Sequence, residues 1–209
     1  MRKDLFILMV LTGLMFLIGC GKSVPDQMGI FSETYTNYSL HLKSLNPPDA
    51  LGGYMGTWQS ENKNPAVVTE DTTIVQEGKK SLKVSVGKGP WGGGMWIQFG
   101  FDKSESPVKV STDLSGYKDG SLVFWVKTKT DMLIKLESEK GGESKKTLSM
   151  YNIPTDDTWQ KVVIPMKDFT AVGGIDLKKV NVVFGSHFVV PQSTSVFWLD
   201  NIYITKTKE

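Results

Sequence analysis

The 209-residue sequence predicts an all-β domain, a β-sandwich or jelly roll built from two antiparallel sheets. Three observations favour this fold class. Apolar and polar residues alternate over short runs, turn-forming residues separate the runs, and we find no ten-residue stretch with the 3.6-residue period of a helix. Hydrophobic residues make up 40% of the chain and charged residues 22%, as in globular domains rather than disordered chains or multi-span membrane proteins.

The first segment of the chain has the features of a bacterial export signal. Arg2 and Lys3 precede the apolar run 5–18, which at 1.5 Å per residue would span only about 21 Å, short of a hydrocarbon core of roughly 30 Å. We therefore expect a signal peptide over residues 1–19. Leu17-Ile18-Gly19-Cys20 resembles the lipobox of bacterial lipoproteins. The resemblance implies cleavage before Cys20, diacylglyceryl and palmitate groups on that residue, and a protein anchored in a membrane of the cell envelope.

The residues that follow Cys20 suggest the membrane and the domain boundaries. Gly21-Lys22 lacks the Asp of an inner-membrane retention signal, so we expect the outer membrane in a cell that has one. Residues 20–50 are rich in Ser, Asn, Pro and Gly and are predicted to form a lipidated, flexible tether with an irregular segment. Residues 51–209 are assigned to the β-sandwich, and Tyr54 and Trp58 are expected to pack on it.

The strands are predicted from the alternation, and turn residues set their limits. Segments 76–78, 119–120 and 141–142 each contain Gly between two apolar runs. The expected strands are 66–75, 80–87, 94–102, 108–113, 120–128, 132–139, 145–151, 159–165, 179–187 and 195–205.

Alternation within these strands separates an inner face from an outer face. The inner face is expected to be dry and the outer face amphipathic, and such an outer face can bind a ligand. Residues assigned to the inner face are Met95, Ile97, Met132, Ile134, Leu136, Val182 and Phe184. Those assigned to the outer face are Trp96, Gln98, Leu133, Lys135, Glu137, Val183, Gly185 and His187. Three further aromatic residues lie inside apolar strands and are expected in the core, namely Trp125, Trp159 and Trp198.

Charge and motif content exclude several function classes. The formal net charge is +2 and no basic run exceeds a pair, so nucleic acid is not an expected partner. One cysteine and two isolated histidines give no zinc site. Glu137 and Glu139 share a strand face and Asp156-Asp157 lies in a turn, contexts that do not favour acid–base catalysis. We also find no nucleophile elbow or phosphate loop, and predict a protein that is not an enzyme.

Six segments, taken in order, resemble the jelly-roll carbohydrate-binding modules of the galactose-binding-like superfamily. They are 77–84, 91–94, 113–127, 159–169, 175–177 and 197–203. The same segments are similar to the complex I intermediate-associated type domain. The first resemblance implies non-catalytic binding of a poly- or oligosaccharide, and a structural calcium ion at Glu77 and Asp200. The second implies the alternative, a module that binds or assembles an envelope protein.

The candidate ligand-binding residues combine flat aromatic platforms with polar groups. Trp91 lies in a loop with three glycines, where it is either presented to solvent or packed down as a plug. Trp96 and Gln98 continue from that loop onto the outer face. Lys135, Glu137 and His187 would add polar contacts there, with a solvated ion pair and a satisfied imidazole as the structural alternatives.

Overall fold

A computed structural model describes residues 26–33, 54–59, 66–89, 92–98, 111–139, 142–171, 174–188 and 194–209. These residues form eleven strands and one short α-helix. The strands are β1 Gln27–Phe31, β2 Tyr54–Gln59, β3 Val67–Asp71, β4 Ser81–Val86, β5 Gly93–Gln98, β6 Ser121–Lys127, β7 Leu133–Ser138, β8 Glu143–Thr147, β9 Trp159–Pro165, β10 Val180–Phe188 and β11 Ser195–Thr205; the helix is α1 Met166–Phe169. Within these ranges no helix is long and apolar enough to cross a membrane.

The strands form two antiparallel sheets, which confirms the predicted fold class. Sheet A has the order β3-β4-β11-β6-β9, and β1 also pairs with β11. β4 pairs with residues 195–199 of β11 and β1 with residues 202–205, so the two shorter strands share one edge of the long one. Sheet B has the order β2-β5-β10-β7-β8. The expected alternation is clear in β4 and β7, where every second side chain is buried.

The core lies between the two sheets and is rich in aromatic residues. Phe124 of sheet A contacts Phe184 of sheet B edge to face, with ring centroids 5.3 Å apart. Phe188 and Phe197 form a second pair across the sandwich at 5.0 Å. Edge-to-face pairs of this kind are favourable beyond the area they bury. The aliphatic residues around them are fully buried, among them Leu82, Met95, Ile97, Ile134, Leu136, Ile164 and Leu199.

The N-terminal strand β1 corrects one expectation. Residues 27–31 were assigned to the tether 20–50, but they pair with β11, and Met28, Ile30 and Phe31 are at most 4% exposed. Their short apolar run shows no alternation, because four of the five residues are buried. The segment therefore contributes a strand to the domain. Cys20 and the predicted signal peptide lie outside the described residues.

Three other strand predictions differ from the structure, two of them at the C-terminal end of the strand. The strand predicted over 66–75 ends at Asp71, whose carboxylate accepts hydrogen bonds from the backbone N–H groups of Thr73 and Ile74 at 2.8 and 3.1 Å and so starts a turn. The strand predicted over 145–151 becomes a 3₁₀ helix from Leu148 onward. Of the segment 108–113, the described part makes only an isolated bridge between Thr112 and Val180.

A bulge in β10 reverses one face assignment. Val182 pairs with Glu137 and Gly185 pairs with Lys135, so three steps on β10 oppose two on β7. An inserted residue shifts the alternation by one. Val182 therefore lies on the outer face, and Val183 joins the buried core cluster. The sequence assignment of these two residues was wrong.

The tryptophans of sheet A were also misassigned. Trp198 lies between the core residues Phe197 and Leu199 and so faces outward, where its indole Nε1 donates a hydrogen bond to Asp71 Oδ2 at 3.0 Å. Trp198 pairs with Lys127, which pairs with Trp159, so Trp159 shares this outer face. Trp125 is half-buried on the same face. Large aromatic residues can cover the outside of a sheet as well as fill its core, which size alone does not reveal.

Candidate functional site

The outer face of sheet B contains a cavity of about 450 Å³, which we call the outer groove. It is the candidate site because the polar outer-face residues predicted from the sequence meet there. Its lining residues come from all five strands of the sheet: Trp58, Trp96, Gln98, Lys135, Glu137, Lys145, Val182 and His187. Clefts with aromatic walls and a few polar groups are typical ligand sites.

A central row of residues crosses the five strands and forms the floor of the outer groove. Strand register aligns Gly56, Trp96, Gly185, Lys135 and Lys145 in that order. A Cβ atom on Gly56 would overlap the six-membered ring of Trp96, so the indole lies against the bare backbone of β2. A Cβ atom on Gly185 would come within 2.8 Å of Cγ of Lys135, so this lysine stem lies across β10 in the same way. Both glycines leave room for a long side chain of the neighbouring strand to lie against the backbone.

A second row forms one wall of the outer groove. Trp58, Gly94 and His187 are in register on β2, β5 and β10. The rings of Trp58 and His187 meet edge to face, with centroids 5.2 Å apart and planes at 67°. Gly94 lies between them, and a Cβ atom there would strike the Ser186 carbonyl oxygen and the His187 side chain. Glycine at this position therefore permits the Trp58–His187 contact.

The opposite wall carries Gln98, Val182 and Glu137. Val182 and Glu137 are a register pair of β10 and β7, and Glu137 is opposite Glu143 of the edge strand β8. Along β5, Gln98 is two residues from Trp96 on one side, and Gly94, the register partner of His187, is two residues away on the other. Two residues correspond to about 7 Å along a strand, so the positions of Gln98 and His187 flank that of Trp96.

Two ion pairs lie at the charged end of the outer groove. Nζ of Lys135 is 2.5 Å from Oε1 of Glu137, and these side chains are only 14% and 22% exposed. Lys145 and Glu143 form a more exposed pair, also at 2.5 Å. The hydrogen bond from Lys145 lowers the pKa of Glu143, so this carboxylate stays ionised near neutral pH. The Lys135–Glu137 pair is thus half-buried rather than fully solvated, and it presents a donor and an acceptor to the groove.

His187 is buried, and its imidazole is neutral at pH 7. It is 7% exposed. Burial, with a smaller contribution from the positive charges of Lys135 and Lys145, lowers its pKa to about 4. Its Nδ1 has no hydrogen-bond partner among the described residues, and neither does Nε1 of Trp58 or Oε1 of Gln98. For the alternative of a satisfied strand-end imidazole, these residues supply no partner to Nδ1.

Sequence reasoning placed five of the candidate ligand residues on one surface, and they do lie together. Trp96, Gln98, Lys135, Glu137 and His187 all line the outer groove. Their role in binding stays a prediction. Trp91 lies outside the described residues, so its orientation stays open.

Sequence reasoning also missed part of the site. Trp58, which was expected only to pack on the domain, is a wall of the groove, and Lys145 and Val182 were not named as site residues. The alternation of Tyr54, Gly56 and Trp58 is the signal that could have revealed Trp58, since it is the pattern of a strand with one aromatic face.

The carboxylates proposed for calcium already accept hydrogen bonds from N–H donors. Oδ2 of Asp200 accepts from the backbone of Gln76 at 2.8 Å and of Glu77 at 3.0 Å, and its Oδ1 accepts from the backbone of Asn201 at 2.7 Å. Oε1 of Glu77 accepts from the Trp125 indole at 2.8 Å, and its Oε2 accepts from the Asn201 amide. Burial raises the pKa of Asp200. In the part of the chain that the structure describes, no three Asp, Glu, His or Cys side chains form a metal-binding group.

This donor set does not fit calcium. Calcium needs oxygen ligands whose lone pairs point at the ion, whereas the Asp200 and Glu77 carboxylates are engaged by N–H groups. They connect the β3–β4 turn to β6 and β11. Calcium at this position is therefore an expectation of the resemblance that these hydrogen bonds argue against, and a calcium titration is needed to test it.

Comparisons with known proteins agree with this architecture. The family model described as carbohydrate binding domain 30 matches residues 48–206. No curated protein matches the chain.

Solved structures share the fold at low sequence identity. A crystal structure of a family 30 carbohydrate-binding module is 19% identical, with a TM-score of 0.62 over 88% of this chain and 89% of that one. The family 30 module of a cellulosomal cellulase of Clostridium thermocellum is 18% identical, with a TM-score of 0.57 over 86% and 96% of the two chains. The family 11 module of the same organism, in complex with a β-1,3-1,4-mixed-linked tetrasaccharide, is 16% identical, with a TM-score of 0.51 over 90% and 99%.

Proposed function

Because the chain belongs to the carbohydrate binding domain 30 family, we propose that its outer groove binds a poly- or oligosaccharide by aromatic stacking and does not cleave it. The observation that carries the proposal is the Trp96 indole on the groove floor, whose six-membered ring lies against the backbone of Gly56. A flat indole offers an apolar platform to the face of a sugar ring. By analogy with aromatic pairs, such a contact contributes on the order of 1 kcal/mol beyond the buried area.

The polar groups of the outer groove suit the hydroxyls at the edges of a stacked sugar. Lys135 and Glu137 offer an ammonium donor and a carboxylate acceptor on the floor and one wall, and Gln98 offers an amide. Because the two charges neutralise each other, the pair favours ligands that can both donate and accept hydrogen bonds. Hydroxyl groups do both.

Binding without cleavage is supported by the state of the carboxylates. Glycoside hydrolysis needs two carboxyl groups that flank the scissile bond. Among the described residues that line the groove, Glu137 is the one carboxylate, and it is ion-paired with Lys135. The same family module also accounts for most of the chain, since it matches residues 48–206.

A titration tests the proposal directly. We would measure calorimetrically the binding of a β-1,3-1,4-mixed-linked tetrasaccharide, and of a panel of glycans, to the full chain in detergent. Trp96→Ala should weaken binding at least tenfold, because both the platform and its buried contact area are lost. Trp159→Ala is the matched control, since Trp159 lies on the outer face of sheet A. Equal affinity of the parent and Trp96→Ala would contradict the proposal, and a blank glycan panel would favour the alternative of an envelope-protein partner.

The location of the domain is a further part of the proposal. The charged start, the apolar run and Leu17-Ile18-Gly19-Cys20 support lipidation of Cys20 and attachment to a bacterial envelope membrane. A membrane-anchored sugar-binding domain would hold a glycan at the envelope surface.

A further inference from the structure

Two polar nitrogen atoms in one wall of the outer groove have no hydrogen-bond partner among the described residues: Nε1 of Trp58 and Nδ1 of His187. Their rings meet edge to face at 5.2 Å, and both residues line the groove. Buried polar groups of native proteins are rarely left unpaired, and those that are need an explanation. Here the two atoms belong to rings that contact each other, in the same groove as Trp96.

The chemistry of these two nitrogen atoms selects the group that satisfies both. The indole N–H of Trp58 can only donate a hydrogen bond, whereas a neutral imidazole has one donor nitrogen and one acceptor nitrogen. A hydroxyl group accepts through its oxygen and donates its one hydrogen. One hydroxyl group can therefore pair with both nitrogen atoms when Nδ1 of His187 is the acceptor and Nε2 carries the proton.

We infer that Trp58 and His187 form a hydroxyl subsite that determines which sugars bind in the outer groove. A hydroxyl group of a sugar stacked on Trp96 accepts a hydrogen bond from Nε1 of Trp58 and donates one to Nδ1 of His187. This inference rests on the proposed function and deepens it. Trp58 lies on β2, an edge strand of sheet B, and both nitrogen atoms are covered, so rotation of the Trp58 side chain is expected to accompany binding.

The charges around His187 keep Nδ1 available as an acceptor. Lys135 of β7 and Lys145 of β8 lower the pKa of His187, and Glu143 of β8 acts in the opposite direction more weakly. Trp58 and Gly94, from β2 and β5, bring no charge. Near pH 7 the ring is neutral. Protonation at acidic pH turns Nδ1 into a donor, which removes the acceptor that the hydroxyl needs.

The experiment measures binding of the β-1,3-1,4-mixed-linked tetrasaccharide to the full chain in detergent. His187→Leu removes the acceptor, and Trp58→Phe removes the donor but keeps an aromatic ring. Each should weaken binding about tenfold. His187→Asn places an amide oxygen near the position of Nδ1 and should bind within about threefold of the parent. Trp198→Phe removes an indole N–H from the opposite sheet and should not change the affinity; thermal unfolding verifies that every variant is folded.

A pH series separates the subsite from a purely structural role of His187. Affinity of the parent should fall about twofold at the pKa near 4 and about tenfold one pH unit below it. His187→Asn should lack that step and retain only the titration of carboxylates. This comparison does not require His187→Leu to fold.

The outcomes distinguish this inference from the function on which it rests. If Trp96→Ala loses binding while Trp58→Phe and both His187 variants bind like the parent, the hydroxyl subsite is wrong and the groove function stands. If the parent and His187→Asn share one pH profile, the acceptor role of Nδ1 is wrong. If the parent binds neither the tetrasaccharide nor any glycan of the panel, the proposed function fails and this inference fails with it.

Discussion

Replacement of Gly56 by alanine should distort the outer groove, although Gly56 itself has no side chain that would contact a ligand. Three atoms of the Trp96 six-membered ring lie within 2.8 Å of the position that an alanine Cβ would occupy. Real Cβ atoms essentially never come within 3.0 Å of such an atom, so the ring or strand β2 must move. Overpacking of this kind typically costs about 1–3 kcal/mol of unfolding free energy.

The effect on binding follows from the same displacement. If the indole is lifted from the floor, it can no longer lie flat beneath a sugar, and the loss of about 1 kcal/mol of stacking corresponds to roughly a fivefold weaker affinity. Trp96→Ala removes the obstacle, so Gly56→Ala should cost much less in that background. Such coupling between the two positions is what a double-mutant cycle measures.

The assay is chemical unfolding together with titration of the β-1,3-1,4-mixed-linked tetrasaccharide, on the parent, both single variants and the double variant. Gly185→Ala is a useful comparison, because its Cβ would meet only the flexible stem of Lys135, which can move aside at lower cost. Gly56→Ala with the stability and affinity of the parent would refute the reasoning that the indole is held against bare backbone.

Two further predictions concern the anchor and the metal. Cys20→Ser should shift the protein from the membrane fraction to the soluble fraction of the cell, because the diacylglyceryl group has no thiol to attach to; unchanged partitioning would contradict anchoring through this residue. Calcium in place of a chelator should raise the unfolding temperature by less than about 2 °C, because N–H donors already occupy the Asp200 and Glu77 carboxylates, and a shift of several degrees would show that these side chains rearrange around a bound ion.

The period-2 alternation was enough to predict the outer face wherever a strand is regular. It assigned Trp96, Gln98, Lys135 and Glu137 correctly, because β5 and β7 carry no inserted residue among them. It failed at Val182 and Val183, where the bulge in β10 depends on the pairing with β7 and leaves no local mark. Faces are therefore predictable from alternation only up to the first irregular pairing.

Long-range strand pairing and the large side chain of Trp198 explain the remaining errors of the sequence-based prediction. Strand β1 is stabilised by β11, whose partner residues lie at the other end of the chain, so a five-residue apolar run gave no sign of its role. Trp198 has apolar neighbours on both sides and was expected in the core, yet its indole N–H is bonded to Asp71 on the outer face. The floor of the outer groove depends on Gly56 and Gly185, whose importance appears only when Trp96 and Lys135 are seen to lie across them.

If Cys20 carries the proposed lipid, the position of β1 limits how far the domain can stand from the membrane. The pairing with the C-terminal strand continues to Asp26, whose carbonyl oxygen accepts a hydrogen bond from the Lys206 backbone at 2.9 Å. From Cys20 to Asp26 the chain advances six residues, which even fully extended reach at most about 21 Å. With lipid on Cys20, the start of β1 in sheet A would lie within about 21 Å of the bilayer. The groove belongs to the other sheet, and two packed sheets are roughly 10 Å apart. A glycan caught there would be kept within a few nanometres of the lipid surface, a much shorter radius than a tether of some thirty residues would permit.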